Sequence, residues 1–264
     1  MHESVKPQGL PLLANDEPPA CELVHPAGAS PYFLTCDHAG HRVPRRLQQL
    51  GLDEQELQRH IGWDIGAAGL SRELAMLLDA TLVLQPYSRL VIDCNRPPQA
   101  PDSIARLSEA TTIPGNQSVT PAEVAQRQAA IFDPYHACIR AQLAARRQRG
   151  QPTLLLAMHS FTPVYLGQAR PWHVGVLYHR DPRMAHALRD LLGQDAGLCV
   201  GDNQPYTVCD DSDYGIPEYG ERGGLPHVEL EIRQDLIADA AGQRRWALRL
   251  ARCLRMLEQQ LLQL

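Results

Sequence analysis

No apolar run in this sequence approaches the roughly 20 residues that a membrane-spanning helix needs; the longest are of the size of Leu154–Met158. That length argues against membrane insertion. A basic excess is also missing. Twenty-five Lys and Arg stand against 30 Asp and Glu, for a net charge of −5, which argues against a nucleic-acid binder built on a broad basic face. The seven cysteines are scattered and odd in number, and no pair has CxxC spacing. Neither a disulfide framework nor a cysteine zinc knuckle is indicated, and the expectation is a reduced, cytoplasmic protein. The first 31 residues lack the apolar core of a secretory signal. They are polar and Pro-rich, with Asp16-Glu17-Pro18-Pro19 in the middle, and read as a flexible arm over 1–31. A single α/β domain is expected over 32–264. No internal repeat or low-complexity tract is present.

What is present is a globular composition, 44% apolar and 21% charged over 264 residues, in the range of one large domain. Short β-rich runs recur at Tyr32–Cys36, Thr81–Gln85, Leu90–Asp93, Thr153–Met158, His173–Tyr178 and Val228–Ile232. Most are apolar nearly throughout, which suits strands covered on both faces. Helical patterns lie between them, at Ile65–Leu78, Ala122–Arg146, Met184–Leu192 and Arg244–Leu261. Pro134 is expected to kink or split the second of these. Asp181-Pro182 reads as a cap and first turn for the third. The last carries Trp246, Leu250, Cys253, Leu254 and Leu257 on one stripe. Alternation of this kind predicts an α/β fold with helices on the faces of a sheet. Two stretches, Arg96–Thr120 and Gly201–Pro226, are rich in Pro, Gly and Asp. Loops of that length are usually functional, and both are expected to fold over the active end of the sheet.

In open α/β folds ligands gather at the carboxyl ends of strands. Asp37-His38-Ala39-Gly40-His41 follows the first run, Asp93-Cys94-Asn95-Arg96 the third, and His159-Ser160 the fourth; Glu229 and Glu231 lie within the last. Histidines, carboxylates and an arginine at several strand mouths fit a metal site beside an anion pocket. A hydrolytic zinc site takes three His or carboxylate ligands and leaves one position open. Such an ion acidifies a water and polarises a carbonyl, while a nearby glutamate carries the proton. Each residue also has a plainer reading. His38 alone is an ordinary loop histidine, and Asp64 an N-cap for the helix at Ile65. Asp93 serves to hold Arg96 in a surface pair, and the alternation around Glu231 suits a solvent-facing strand. Spacing alone leaves both sets of readings open.

The sequence resembles the N-formylglutamate amidohydrolase family, in its N-formylglutamate amidohydrolase-like branch. The pieces that carry the resemblance run in order from Leu34 to Leu236, among them CDHAGHRVP (36–44), HIGWDIGAAGL (60–70), SRLVIDCNRPP (88–98), MHSFTPVY (158–165), ARPWHVGVLYHRDPR (169–183), GDNQPY (201–206) and RGGLPHVELEIRQDLI (222–237). The resemblance implies a mixed central sheet flanked by helices, similar to the zinc carboxypeptidase or phosphorylase/hydrolase-like fold, with one zinc ion per chain. It implies His38, Asp64 and His159 as metal ligands and Glu231 as general acid/base. Asn95 and Arg96 would hold the substrate's carboxylate with help from Arg89, and Arg96 would join Glu231 in catalysis. Two positions depart from the pattern. His41 stands where close relatives show asparagine and the carboxypeptidases a ligating glutamate, so the carboxylate place falls to Asp64 or to His41; Tyr219 stands where a histidine is expected.

The implied activity is zinc-dependent hydrolysis of the amide of a small N-acyl amino acid, such as N-formyl-L-glutamate. The implied partner is thus a small-molecule substrate, with no nucleic acid or membrane. The rivals are a peptidase or longer-chain acylase of the same type, and a non-catalytic metabolite-binding module on this fold. Two His and one carboxylate also suit iron or manganese. The sequence is silent on oligomeric state.

Overall fold

The computed structural model describes residues 11–261. Seven strands form the main sheet: β1 (Glu22–Val24), β2 (Tyr32–Cys36), β3 (Thr81–Leu84), β4 (Leu154–Phe161), β5 (Val174–Leu177), β6 (Val200–Asp202) and β7 (His227–Arg233). Their spatial order is β1-β3-β2-β4-β7-β5-β6. The four central strands, β3, β2, β4 and β7, run parallel, whereas β1 and β5 are antiparallel to their inner neighbours. The sheet is mixed, as expected. The chain leaves β2 for β3 on one side and enters β4 on the other, so the order reverses between β2 and β4. At such a point the connections diverge and open a crevice beyond the carboxyl ends of the strands.

Strand periodicity divides the core in two. Leu34, Leu82, Leu156, Met158, Val228, Leu230 and Ile232 face the helices Ala67–Leu78, Arg183–Leu192 and Ala240–Leu261. The predicted stripe of the last helix, from Trp246 to Leu257, is buried on that side. Phe33, Val83, Leu155 and Ala157 face the other way, against Ile131, Phe132, Tyr135 and Ile139. Because side chains alternate along a strand, Asp37, His159, Glu229 and Glu231 share this second face.

Several sequence expectations change. The 90–93 segment forms no strand: a tight turn with Val91 N bonded to Ser88 O carries it past the sheet end. Its apolar residues Leu90, Val91 and Ile92 are buried as loop residues in the second core. The expected loose arm is ordered from residue 11 on. Leu12 and Ala20 are buried, and β1 pairs with β3 at the sheet edge; residues 1–10 lie outside the described ones. The long helix is divided near Pro134 as expected, with a π turn at Gln128–Phe132 joining Pro121–Arg127 to Asp133–Gln148. Pro134, which lacks an N–H, sits in the first turn of the second piece and accounts for the break. Pro182 rather than Asp181 occupies the N-cap of Arg183–Leu192. Among the described residues no helix is long and apolar enough to cross a membrane.

Candidate metal centre

His38 lies two residues beyond β2, Asp64 in the loop before the helix at Ala67, and His159 inside β4. Two main-chain hydrogen bonds bring the loops together: Asp64 N donates to His38 O at 3.0 Å, and Ala39 N donates to Gln85 O at 3.1 Å. The helix begins after Gly66, which takes φ +82° with its Cα face against Ile237 O. Asp64 therefore caps nothing with its side chain and is free to face the histidines. Its Oδ2 lies 3.3 Å from His38 Nδ1 and 2.8 Å from His159 Nδ1, and the three ligand atoms fall within 4.8 Å of one another. All three side chains are buried.

The opposite nitrogen of each ring is also answered by a carboxylate. His38 Nε2 lies 2.7 Å from Asp93 Oδ1, and His159 Nε2 lies 3.5 Å from Asp37 Oδ2. The pairing crosses the sequence, since Asp37 adjoins His38 but faces His159. Asp93 in turn accepts both Nε and Nη2 of Arg89, and Asp37 accepts the hydroxyl of Tyr135. The Asp93 hydrogen bond holds the orientation of His38 with Nδ1 toward Asp64, the arrangement that metal-binding histidines adopt, whereas Asp37 faces His159 Nε2 without a hydrogen bond.

Charge supports the same fit. Burial pushes the Asp64 carboxyl up, yet His38 and His159 outweigh it and hold the group well below the usual carboxylate range. Burial lowers both imidazoles. Glu229, Asp37 and Asp64 more than reverse that for His159, and Asp93 and Asp64 reverse it for His38 against the charge of Arg89. The cluster thus calls for positive charge between its rings. A divalent cation among His38 Nδ1, Asp64 Oδ2 and His159 Nδ1 would supply that charge with both rings neutral. The donor set and its geometry fit such an ion.

Beside the cluster lie two further acids. Glu231 stands in register with His159 across β7 and β4, and Glu229 with Ala157. Neither is solvent-facing; β7 is an interior strand, and the two are 5% and 4% exposed. Burial pushes Glu229 up to about 7 and carries Glu231 well above the usual carboxyl range. One oxygen of each, Oε2, has no hydrogen-bond partner. These groups line a cavity of about 480 Å3, closed by Asp102, Leu107 and Glu109 from one long loop and by Tyr206, Thr207 and Asp213 from the other.

The remaining sequence candidates separate. Arg89 reaches the cluster, with Nη1 3.5 Å from Asp64 Oδ1. Arg96 lines the cavity farther out. It pairs with Asp102 rather than Asp93 and donates to Ser212 O, so Asp93 has the different task of holding His38 and Arg89. Asn95 is buried on the wall, and its Oδ1 accepts the backbone N–H groups of Tyr214 and Gly215, tying the second long loop to the site. His41 is not in the cluster: it packs on Trp63 and lies 3.5 Å from Glu54 at the surface. Tyr219 donates its hydroxyl to His136 Nδ1 beneath the wall. Sequence reasoning missed Asp37 and Glu229 as partners of the site. The strand parity they share with His159 was the signal.

Fold and site together define an α/β protein with a buried His–Asp–His candidate metal centre at its switch point. The model of the N-formylglutamate amidohydrolase family matches residues 30–238, and the chain belongs to that family. It is similar in structure to gene product Atu2144 from Agrobacterium tumefaciens, with a TM-score of 0.91 and 34% identity over 95% of this chain and 99% of that one. An N-formylglutamate amidohydrolase from Ralstonia eutropha JMP134 shares the fold, with a TM-score of 0.60 and 19% identity over 91% of this chain and 98% of that one. No curated protein matches the chain.

Proposed function

We propose that the protein is a zinc-dependent amidohydrolase, with one ion per chain, that cleaves the amide of a small N-acyl amino acid of the N-formyl-L-glutamate type. The observation that carries this reading is the buried cluster of His38, Asp64 and His159, with Asp64 Oδ2 3.3 Å from His38 Nδ1 and 2.8 Å from His159 Nδ1, and Glu231 beside His159 on the cavity wall. An ion held there supplies Lewis acidity, polarising the scissile carbonyl and acidifying a water.

The chain's own residues divide the rest. Hydrolysis adds the elements of water across the acyl C–N bond, leaving a carboxylic acid and a free amine. A proton must therefore leave the attacking water and arrive at the leaving nitrogen. Glu231, with an unpartnered carboxyl oxygen at the site, carries it. Arg89, the arginine nearest the cluster, faces the carbonyl oxygen as negative charge builds there. Arg96 and Asn95 line the wall beside it and meet the polar groups around the substrate's α-carbon. Asp93 keeps the His38 ring in place, and Asp37 faces the outer nitrogen of His159.

Glu231→Gln tests the assignment. It should retain the metal, measured by elemental analysis, while lowering turnover of N-formyl-L-glutamate about 10²–10⁴-fold. Full activity in that variant would remove Glu231 from the mechanism. Failure of the wild-type protein to retain any divalent ion would remove the reading as a whole.

A further inference from the structure

Both arginines on the cavity wall are already answered by carboxylates. Arg89 donates twice to Asp93 and lies near Asp64; Arg96 pairs with Asp102 and lies 3.9 Å from Asp213. With Glu229 and Glu231 at the buried end as well, the wall carries more acids than bases. A second negative charge on a substrate finds no unpaired arginine there. Against two tyrosines of the wall packs Arg170. Its guanidinium packs 4.7 Å from the ring centre of Tyr165 and 4.9 Å from that of Tyr206, two residues of the cavity wall. Nη1 donates to the Tyr206 hydroxyl at 2.9 Å. Among the described residues no carboxylate lies within ion-pair distance of it.

Stacking on aromatic faces fixes the plane of a guanidinium and leaves its in-plane N–H groups available, the fork that grips a carboxylate through two bonds. Resting on the amidohydrolase reading, we infer that Arg170, clamped by Tyr165 and Tyr206, is the anchor for the distal carboxylate of an acidic N-acyl amino acid. Arg170 is thus a specificity-determining residue, selecting substrates with a second anionic end.

The test compares N-formyl-L-glutamate with its neutral isostere N-formyl-L-glutamine on the metal-loaded, full-length protein. Wild type should favour the glutamate through KM by on the order of ten- to a hundredfold, the scale of a hydrogen bond to a charged group. Arg170→Gln should abolish that preference with kcat little changed. Arg170→Lys, which keeps charge but loses the fork, should retain part of it. Equal handling of both compounds by wild type, or an undiminished preference in Arg170→Gln, overturns the assignment. If neither compound is hydrolysed, the amidohydrolase reading fails separately. Calorimetric titration of the same two compounds then decides Arg170, because the glutamate should bind more tightly to wild type and equally tightly to Arg170→Gln; any other pattern rejects it.

Discussion

Each histidine of the candidate metal centre faces two carboxylates, and for His38 the outer one carries as much of the geometry as the inner. Asp93 joins His38 to Arg89 and also accepts the backbone N–H of Asn95. Asp93→Asn keeps the shape but removes the charge that orients the ring and raises its basicity. Affinity for a divalent cation should fall about 10- to 100-fold, the usual cost of losing such a partner, as read by competition with a chromophoric chelator. Unchanged affinity would mean that packing alone aligns His38. The tasks of Asp37 and Asp93 could not be read from their neighbours in sequence, because each serves a histidine that the chain brings from elsewhere.

Local elements set how rigidly this geometry is delivered. Gly66 ends the Asp64 loop and starts the helix at Ala67 with φ +82°, and a Cβ added to it would fall only 2.2 Å from Ile237 O. A side chain there meets both backbone strain and a collision with main chain. Gly66→Ala should lower unfolding stability by about 2 kcal/mol or more, measured by urea denaturation, and should weaken metal binding by displacing Asp64. Elements also explain where sequence reading succeeded. The strands at Tyr32–Cys36 and Thr81–Leu84 are short, apolar and bounded by turns, and they form as expected. The Leu90–Ile92 run has the same composition yet forms a buried turn. Composition records burial there, whereas hydrogen-bond partners decide strand or loop.

For the molecule as a whole, two linked equilibria should be visible. A metal that binds the folded chain at about 100 times its Kd adds about 2.7 kcal/mol. At about 2–4 °C per kcal/mol for a chain of this size, removing it with EDTA should lower Tm by about 5–10 °C. No change in Tm would argue against a bound ion. The second equilibrium runs through His136, fully buried behind the wall, with Nε2 facing Cys94 O and Nδ1 accepting from Tyr219. Burial holds its pKa down to about 4, below the ordinary value near 6.5. The unfolded chain therefore binds the proton first. Stability from the neutral ring is complete above about pH 6.5 and is lost as pH falls toward 4, a difference of about 3 kcal/mol. His136→Gln should flatten the dependence of the urea midpoint on pH across that window, and an equally steep profile would assign the acid sensitivity elsewhere.

Periodicity and composition were enough to determine the α/β alternation, the helix stripe from Trp246 to Leu257, and the position of His38 just past a strand, since these depend on residues close in the chain; His159, expected just after its strand, lies inside it. The resemblance added Asp64 to that list and supplied the family. Tertiary structure alone decided that Asp64 rather than His41 faces both rings, that Asp37 backs the distant His159, and that Glu229 and Glu231 are interior. It also left Arg170 without a carboxylate while Arg89 and Arg96 gained theirs. The reason is physical: an ionisable group acquires its charge, orientation and partner from the low-dielectric surroundings that distant segments build around it, and no local pattern records which segments those will be.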